Sequence, residues 1–175
     1  PADNGCIKLL EDFFNKPALH FNRNKTSNAY IEVGEEGPLF VFVGHTDVVE
    51  PGPLDKWTSP PFKLTQTQSG FVGRGMVDMK GAIWAFCSAL KAINQKLSYR
   101  VGILLTSDEE GDGKDGMQYM VEKLKDLNFY ANWALVGEPT SKKHIGDYYK
   151  HQRRGSCSFE ISLHGRQGHI AYPEQ

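Results

Sequence analysis

Short runs of strand-forming apolar residues alternate along the chain with segments of helical periodicity, and this alternation constrains the fold more than any other feature. The predicted strands are 28–33 (NAYIEV), 39–43 (LFVFV), 100–107 (RVGILLTS) and 132–138 (NWALVGE). The predicted helices are 6–14 (CIKLLEDFF), 80–95 (KGAIWAFCSALKAINQ) and 117–127 (MQYMVEKLKDL). Strands that alternate with helices predict a layered α/β domain. The segment GEEGP between the first two strands predicts a hairpin-type connection.

The pattern changes near residue 154. From residue 156 onward, SCSFEISLHG alternates apolar and polar residues with period two, which predicts a half-exposed strand. We therefore predict a first domain over residues 1–154 and the start of a second over residues 155–175.

The charge balance excludes several classes of partner. The 175 residues contain 20 Lys and Arg against 21 Asp and Glu, so a formal net charge of −1 gives no broad attraction to nucleic acid or anionic membrane. No apolar stretch reaches the roughly 20 residues that cross a bilayer, and the N-terminus shows no basic segment followed by an apolar signal core. These features predict a cytoplasmic protein that binds neither nucleic acid nor membrane.

Side chains of the kind that bind metals follow three of the predicted strands. They are His45 and Asp47 after 39–43, Asp108, Glu109 and Glu110 after 100–107, and Glu138 at the end of 132–138, with Asp78 immediately before the helix at 80–95. Ligands in open α/β sheets gather at the carboxyl ends of strands. One histidine with several carboxylates suits zinc or another borderline divalent ion, and shared carboxylates suit two ions about 3.5–4 Å apart.

Each of these features alone has an ordinary interpretation. A single His-x-Asp at a strand end is more often a polar turn, an Asp before a helix is usually an N-cap, and Glu109-Glu110 fits a solvated acidic loop. The segment DEEGDGKDGMQY resembles a calcium loop, but Tyr119 stands at its twelfth position, where a bidentate Glu is needed. The glycine-rich segment 70–81 lacks the Gly-Lys-Ser/Thr ending of a phosphate loop. Only the recurrence at successive strand ends favours a metal site.

Within a metal site the neighbouring glutamates would have different roles. Adjacent side chains in extended backbone point in opposite directions, so one of Glu109 and Glu110 can bind metal while the other faces a water. A carboxylate beside an activated water can act as a general base and later protonate a leaving amine, which is the chemistry of amide hydrolysis. The position of Asp47, two residues after His45, suggests that it orients the imidazole.

The motifs taken together resemble a known family. The segments GHTDVV, WTSPPF, GRGMVDMKG, TSDEEG, VGEPT and GRQGHIAYP occur in this order, and the chain is similar to the zinc-dependent aminoacylase and carboxypeptidase family. LVGEPTS, IGDYYKHQRRGS and QGHIAYP resemble more closely the bacterial desuccinylases that act on N-succinyl-diaminopimelate. The resemblance implies a zinc-peptidase-like catalytic domain over 1–154, with a mixed sheet and helices on both faces. Residues 155–175 would then begin an α+β lid and dimerisation domain with its first strand.

The resemblance also implies a role for each matching residue. His45 and Glu138 would bind one zinc, Glu110 the other, and Asp78 would bridge them. Asp47 would support His45, and Glu109 would be the general base. His169 would reach the active site of a partner subunit and stabilise the oxyanion. Arg153, Ser156 and Tyr172 would lie near the substrate, where the fork of a guanidinium suits a carboxylate.

The implied function is a dizinc amidohydrolase of lysine and diaminopimelate biosynthesis that is a homodimer when intact. The chain is expected to be truncated at both ends relative to the family, without a later histidine ligand of the second zinc, and so to have little or no activity by itself. Two alternatives stay open: a deacylase of acetylornithine or another N-acyl amino acid, and a non-catalytic metal-binding or association fragment. Cobalt and manganese suit the same oxygen and imidazole ligands as zinc.

Overall fold

A computed structural model describes residues 3–93, 97–152, 155, 157 and 159–172 of the chain. The helices are α1 (Cys6–Phe14), α2 (Gly81–Ile93) and α3 (Met117–Asp126). The strands are β1 (Leu19–His20), β2 (Asn28–Val33), β3 (Leu39–His45), β4 (Thr65–Thr67), β5 (Gly70–Val72), β6 (Arg100–Thr106) and β7 (Trp133–Val136). A single 3₁₀ turn covers Leu54–Lys56, and an irregular turn covers Met76–Lys80. Every predicted helix and strand up to residue 138 is present, with ends that differ by a few residues.

Five strands form one mixed sheet in the order β1-β2-β6-β3-β7, and β4 pairs with β5 in a separate hairpin. Strand β6 runs parallel to β3 and antiparallel to β2, and β3 is also parallel to β7. The predicted hairpin-type connection between β2 and β3 is therefore wrong, because β6 lies between these two strands. The turn at 34–38 instead lies against Ser98 and Tyr99, whose carbonyl oxygens would be 2.7 Å from a Cβ added at Gly37 and Gly34.

The two faces of the sheet are covered by different helices. On one face α1 and α2 pack on alternate residues of the strands, among them Ile31, Phe42, Ile103 and Leu105. On the other face α3 packs through Met120 and Leu124 on the intervening residues Leu39, Val41 and Leu104. This alternation follows from the two-residue period of strand side chains. The predicted α/β class, a mixed sheet with helices on both faces, is confirmed.

The chain divides into two compact units, Pro1–Pro139 and Thr140–Gln175. The second unit contains a tight turn in which the Asp147 carboxylate accepts hydrogen bonds from the amides of Lys142, Lys143 and His144. The predicted domain boundary near residue 154 stays a prediction. None of the helices among the described residues has the length and apolar character that would span a bilayer.

The predicted strand after residue 155 is not formed by the residues that the structure describes there. Phe159, Ile161 and Leu163, the apolar positions of the alternating pattern, are at least 80% exposed. A strand needs a neighbouring backbone for its hydrogen bonds, and no described residue of the second unit belongs to a strand. The alternation alone was therefore insufficient to predict a strand.

Candidate metal centre

The carboxyl ends of three parallel strands meet at one edge of the sheet. His45 is the last residue of β3 and lies opposite Thr106, the last residue of β6. Val136 at the end of β7 pairs with Val43 of β3, so Glu138 follows two residues beyond the same edge. The parallel register therefore brings together side chains that are up to about ninety positions apart in the sequence.

The imidazole of His45 is at the centre of this cluster and only 1% exposed. Its Nε2 atom lies 2.9 Å from Asp78 Oδ1, 3.5 Å from Glu138 Oε1 and 3.9 Å from Glu109 Oε2. The other ring nitrogen, Nδ1, lies 3.0 Å from the carbonyl oxygen of Asp47 and 3.5 Å from its Oδ1. Nδ1 is thus held by Asp47, and Nε2 faces the carboxylates.

Asp47 also organises the loop that follows β6. Its Oδ2 accepts hydrogen bonds from the amide of Glu109 at 3.0 Å and from the amide of Glu110 at 2.9 Å. Burial by itself raises the pKa of the Asp47 carboxyl. The hydrogen bonds with His45 and with the two amides lower the pKa by more than burial raises it, so the pKa lies below the usual value. A single ionised carboxylate thereby links the ends of β3 and β6.

The electrostatics of the metal-free cluster favour a cation. Burial lowers the pKa of His45, but its hydrogen bonds to Asp47 and Asp78 outweigh this effect and raise the pKa to about 9. Burial, together with the nearby charges of Asp78 and Glu109, raises the pKa of Glu110. The carboxylates around His45 repel one another. The raised pKa of His45 adds positive charge to the cluster, and the raised pKa of Glu110 removes negative charge from it.

Asp78 belongs to the irregular turn Met76–Lys80, and its carboxylate is 48% exposed. The Asp78 carboxylate forms a hydrogen bond with His45 Nε2 across the cluster. The Asp78–Met79 peptide bond is cis. The next side chain, Met79, is buried, and its sulfur accepts the hydrogen bond of the His45 amide at 3.3 Å. This turn and the end of β3 are thus packed together directly beneath the cluster.

Two overlapping sets of three side chains have the spacing of a metal site. His45, Asp78 and Glu110 form one set and His45, Glu109 and Glu138 the other, with one possible ligand atom from each residue within 4.8 Å of the others. Imidazole nitrogen and carboxylate oxygen are the ligands that zinc accepts, so the residues fit a divalent ion. A cavity of about 230 Å³ lies beside Asp78 and Glu110 and is also lined by Arg74.

The structure brings six predicted site residues together: His45, Asp47, Asp78, Glu109, Glu110 and Glu138. The separate roles assigned to them, including the choice of Glu109 as base, stay predictions. In the second unit the rings of His169 and Tyr172 lie 5.6 Å apart, and the Tyr172 amide donates to the His169 carbonyl. Arg153 and Ser156 lie outside the described residues.

Sequence reasoning missed the residues that hold the glutamate loop. Asp108 is buried, and its Oδ2 accepts the amide of Asp115 at 3.2 Å, which closes the loop between them. In the sequence, Asp108 is one of three consecutive acidic residues that follow the predicted strand. The position of Asp108 directly after the apolar run of β6 indicates this role, because a buried carboxylate that does not bind metal needs hydrogen-bond donors.

Comparison with known proteins identifies the family of this arrangement. The sequence profile described as peptidase family M20/M25/M40 matches residues 41–171. A succinyl-diaminopimelate desuccinylase of Dechloromonas aromatica (strain RCB) is 44% identical over 182 aligned residues, which cover 100% of this chain and 48% of the relative. A protein of the same name from Nitrosospira multiformis is 42% identical, with coverages of 99% and 47%. The chain thus spans about half the length of these curated relatives.

Solved structures share the fold at lower identity. A metallo-carboxypeptidase of the M20 family from Sulfolobus solfataricus, Sso-CP2, superposes with a TM-score of 0.68 at 22% identity, over 79% of this chain and 32% of that one. Human carnosine dipeptidase 1 superposes with a TM-score of 0.66 at 21% identity, with the same coverages. At these identities the likeness concerns the fold alone.

Proposed function

The chain belongs to peptidase family M20/M25/M40, and from this membership we propose that it carries the metal-binding part of a dizinc amidohydrolase. The proposed reaction cleaves the amide of N-succinyl-L,L-diaminopimelate to succinate and L,L-diaminopimelate. The observation that carries the proposal is the cluster of one imidazole and four carboxylates, from three strand ends and the turn before α2, around His45 Nε2. The choice of substrate is supported by the desuccinylase relatives that are 40–44% identical.

Four residues are proposed to hold the metal ions. His45 and Glu138 would bind one zinc, Glu110 the second, and Asp78 would bridge the two. The separation of 2.9 Å between His45 Nε2 and Asp78 Oδ1 supports placing both around one ion. When bound, zinc would polarise the amide carbonyl and lower the pKa of a water. The burial of His45 and its hydrogen bonds from Nδ1 to Asp47 fix the ring orientation that such a ligand needs.

Glu109 is proposed to move the proton. Its carboxylate is 42% exposed, in contrast to the buried His45, so that it can reach a water and a bound substrate. It would accept a proton from the attacking water and donate it to the leaving amine. The hydrogen bond from its amide to Asp47 fixes the backbone that carries this side chain.

Residues of the second unit complete the proposal. Arg153, Ser156 and Tyr172 would contact the succinyl carboxylate or the amino-acid portion of the substrate, and His169 would serve the active site of a second copy in a homodimer. These assignments rest on the resemblance of QRRGS and QGHIAYP to the desuccinylase motifs.

An activity assay tests the reaction and the substrate. Because the chain spans half the length of its relatives, we suggest a fusion that supplies the second half from the Dechloromonas aromatica protein, assayed with N-succinyl-diaminopimelate and with N-acetylornithine. We expect a preference for the succinylated substrate. A preference for acetylornithine would contradict the proposed substrate and favour the deacylase alternative.

The variant Glu109→Gln tests the mechanism in the same fusion. Hydrolysis should fall by at least about a hundredfold, the lower end of what general acid–base catalysis contributes, with the zinc content unchanged. Glu122→Gln, an exposed change on α3, is the matched control and should keep full activity. Hydrolysis that survives Glu109→Gln would contradict the role of the base, and zinc binding without any hydrolysis in the parent fusion would favour the non-catalytic alternative.

A further inference from the structure

The loop that carries Glu109 and Glu110 is closed by one hydrogen bond at its base. Asp108 and Asp115 flank six residues, and the Asp115 amide donates to Asp108 Oδ2 at 3.2 Å. Most residues between them are exposed, and two are glycines, so little apolar packing stabilises the loop. Its conformation therefore depends on polar contacts at its two ends.

Asp47 holds the first end. Its carboxylate binds the amides of Glu109 and Glu110 at 2.9–3.3 Å, as described above. These bonds from two amides fix the backbone of the glutamates, but they do not reach the second half of the loop.

Asp115 holds the second end, and its partners come from a distant part of the chain. Its Oδ2 accepts a hydrogen bond from Asn24 Nδ2 at 2.6 Å, and its Oδ1 lies 3.1 Å from Arg23 Nε. Its carbonyl accepts from Nδ2 of the fully buried Asn28, at the start of β2, at 2.7 Å. The turn before β2 and the first residue of β2 thereby anchor the loop after β6, and all three contacts are made with Asp115.

The anchoring turn is itself well defined. Arg23 and Thr26 exchange two backbone hydrogen bonds of 3.1 and 2.8 Å, and the Arg23 guanidinium lies 4.9 Å from the centre of the Tyr119 ring on α3. A fixed donor pair on this turn can therefore hold the Asp115 carboxylate in one place. Asp112, in contrast, is exposed in the same loop, and its nearest cation is Lys114 at 4.0 Å.

We propose that Asp115 is a positioning residue, which fixes the glutamate loop against the Arg23–Thr26 turn so that Glu109 and Glu110 keep their places beside His45. The inference deepens the proposed function and rests on it for the roles of the two glutamates. Asp115 is not one of the residues proposed to contact substrate or metal, and it acts only through the backbone of the loop.

Amide hydrogen exchange measured by NMR on the whole chain tests the proposal without any metal or substrate. In Asp115→Ala the amides of Glu109 and Glu110 should exchange about tenfold faster than in the parent chain, because the loop loses its hydrogen bond with Asn24 and its ion pair with Arg23. Asp112→Ala is the matched control and should leave both amides unchanged. Asp115→Asn keeps one acceptor oxygen and should restore part of the protection.

Asn24→Ala keeps the test informative if Asp115→Ala fails to fold. The Asp115 carboxylate contacts two side chains outside the loop, those of Asn24 and Arg23, and this variant removes the first of them. It should therefore also speed amide exchange at Glu109 and Glu110. Unchanged exchange at these two amides in Asn24→Ala, or in a folded Asp115→Ala, would overturn the proposal. Equal acceleration at Ile103 in the centre of β6 would also overturn it, because the effect would then be a general loss of stability.

Zinc titration of the same variants separates this inference from the proposed function. If the parent chain binds zinc, Asp115→Ala should weaken binding by about tenfold, the lower end of the range for outer contacts of metal ligands. If exchange responds as expected and the parent chain binds no zinc, the loop anchor stands and the proposed metal function fails. If zinc binds tightly and exchange does not respond, only the anchor is refuted.

Discussion

The Asp47 carboxylate connects two parts of the cluster, because it lies 3.5 Å from His45 Nδ1 and accepts hydrogen bonds from the amides of Glu109 and Glu110. Asp47→Ala removes these carboxylate contacts without removing any proposed metal ligand. We expect it to weaken zinc binding by about 10–100-fold, the usual cost of losing a residue that orients a ligand. Isothermal titration with zinc measures the effect.

Asp55→Ala is the control for this variant, since Asp55 is an exposed carboxylate in the Leu54–Lys56 turn. It should leave the zinc affinity unchanged. Equal affinities of Asp47→Ala and the parent chain would mean that the ring of His45 and the glutamates hold their positions without Asp47.

At the residue scale, the sequence was sufficient to find the members of the cluster but not the contacts among them. His45, Glu110 and Glu138 were predictable because each follows a strand, and parallel strands end at one edge. The hydrogen bonds from the glutamate amides to Asp47 join residues 62 and 63 positions apart. Such contacts depend on the relative placement of two loops, which no local pattern encodes.

At the scale of elements, the existence of each strand in the sheet up to residue 138 was more predictable than its partners, apart from the two-residue β1, which was not predicted. The apolar run of β6 indicated a strand buried on both faces, and β6 does lie inside the sheet. Its insertion between β2 and β3 was missed because GEEGP has the composition of a hairpin turn. Turn composition indicates where the chain reverses, whereas the pairing depends on which strand can bury both of its faces.

Gly102 shows how closely β6 packs against its neighbour. A Cβ added there would lie 2.4 Å from Cε2 of Tyr30, whose ring packs edge-on against Phe129 and whose hydroxyl donates to Glu32. Because the ring is held on two sides, Gly102→Ala should lower the free energy of unfolding by about 1–3 kcal/mol. Urea denaturation followed by circular dichroism measures this difference.

Gly165→Ala provides the comparison, since nothing lies within 4 Å of a Cβ added at that position. It should change the free energy of unfolding by less than about 0.5 kcal/mol. A Gly102→Ala variant as stable as Gly165→Ala would show that Tyr30 has room to move, and that the packing of this face is looser than described.

At the scale of the whole molecule, the metal cluster lies within the first of the two compact units. All six residues of the cluster precede residue 139, and the mixed sheet that positions them is complete within the same unit. A chain shortened to residues 1–139 should therefore fold and bind zinc with the affinity of the whole chain. Circular dichroism and zinc titration of the shortened chain check both expectations.

Loss of zinc binding on this shortening, with the fold retained, would mean that residues beyond 139 contribute to the site. It would also favour the predicted boundary near residue 154 over the division after residue 139. The shortened chain does not test catalysis, since the residues proposed to contact the substrate, and His169, which is proposed to serve a second copy, all lie beyond residue 139.

The proposed divalent metal site has the end of β3 as its corner. The most direct test is a crystal structure of the chain grown with zinc, with anomalous scattering recorded at the zinc edge. We predict a zinc peak about 2.0–2.2 Å from His45 Nε2, with carboxylate oxygens from Asp78 and Glu138 at similar distances. Zinc bound elsewhere, with the hydrogen bond between His45 and Asp78 intact, would contradict the proposed metal site at His45.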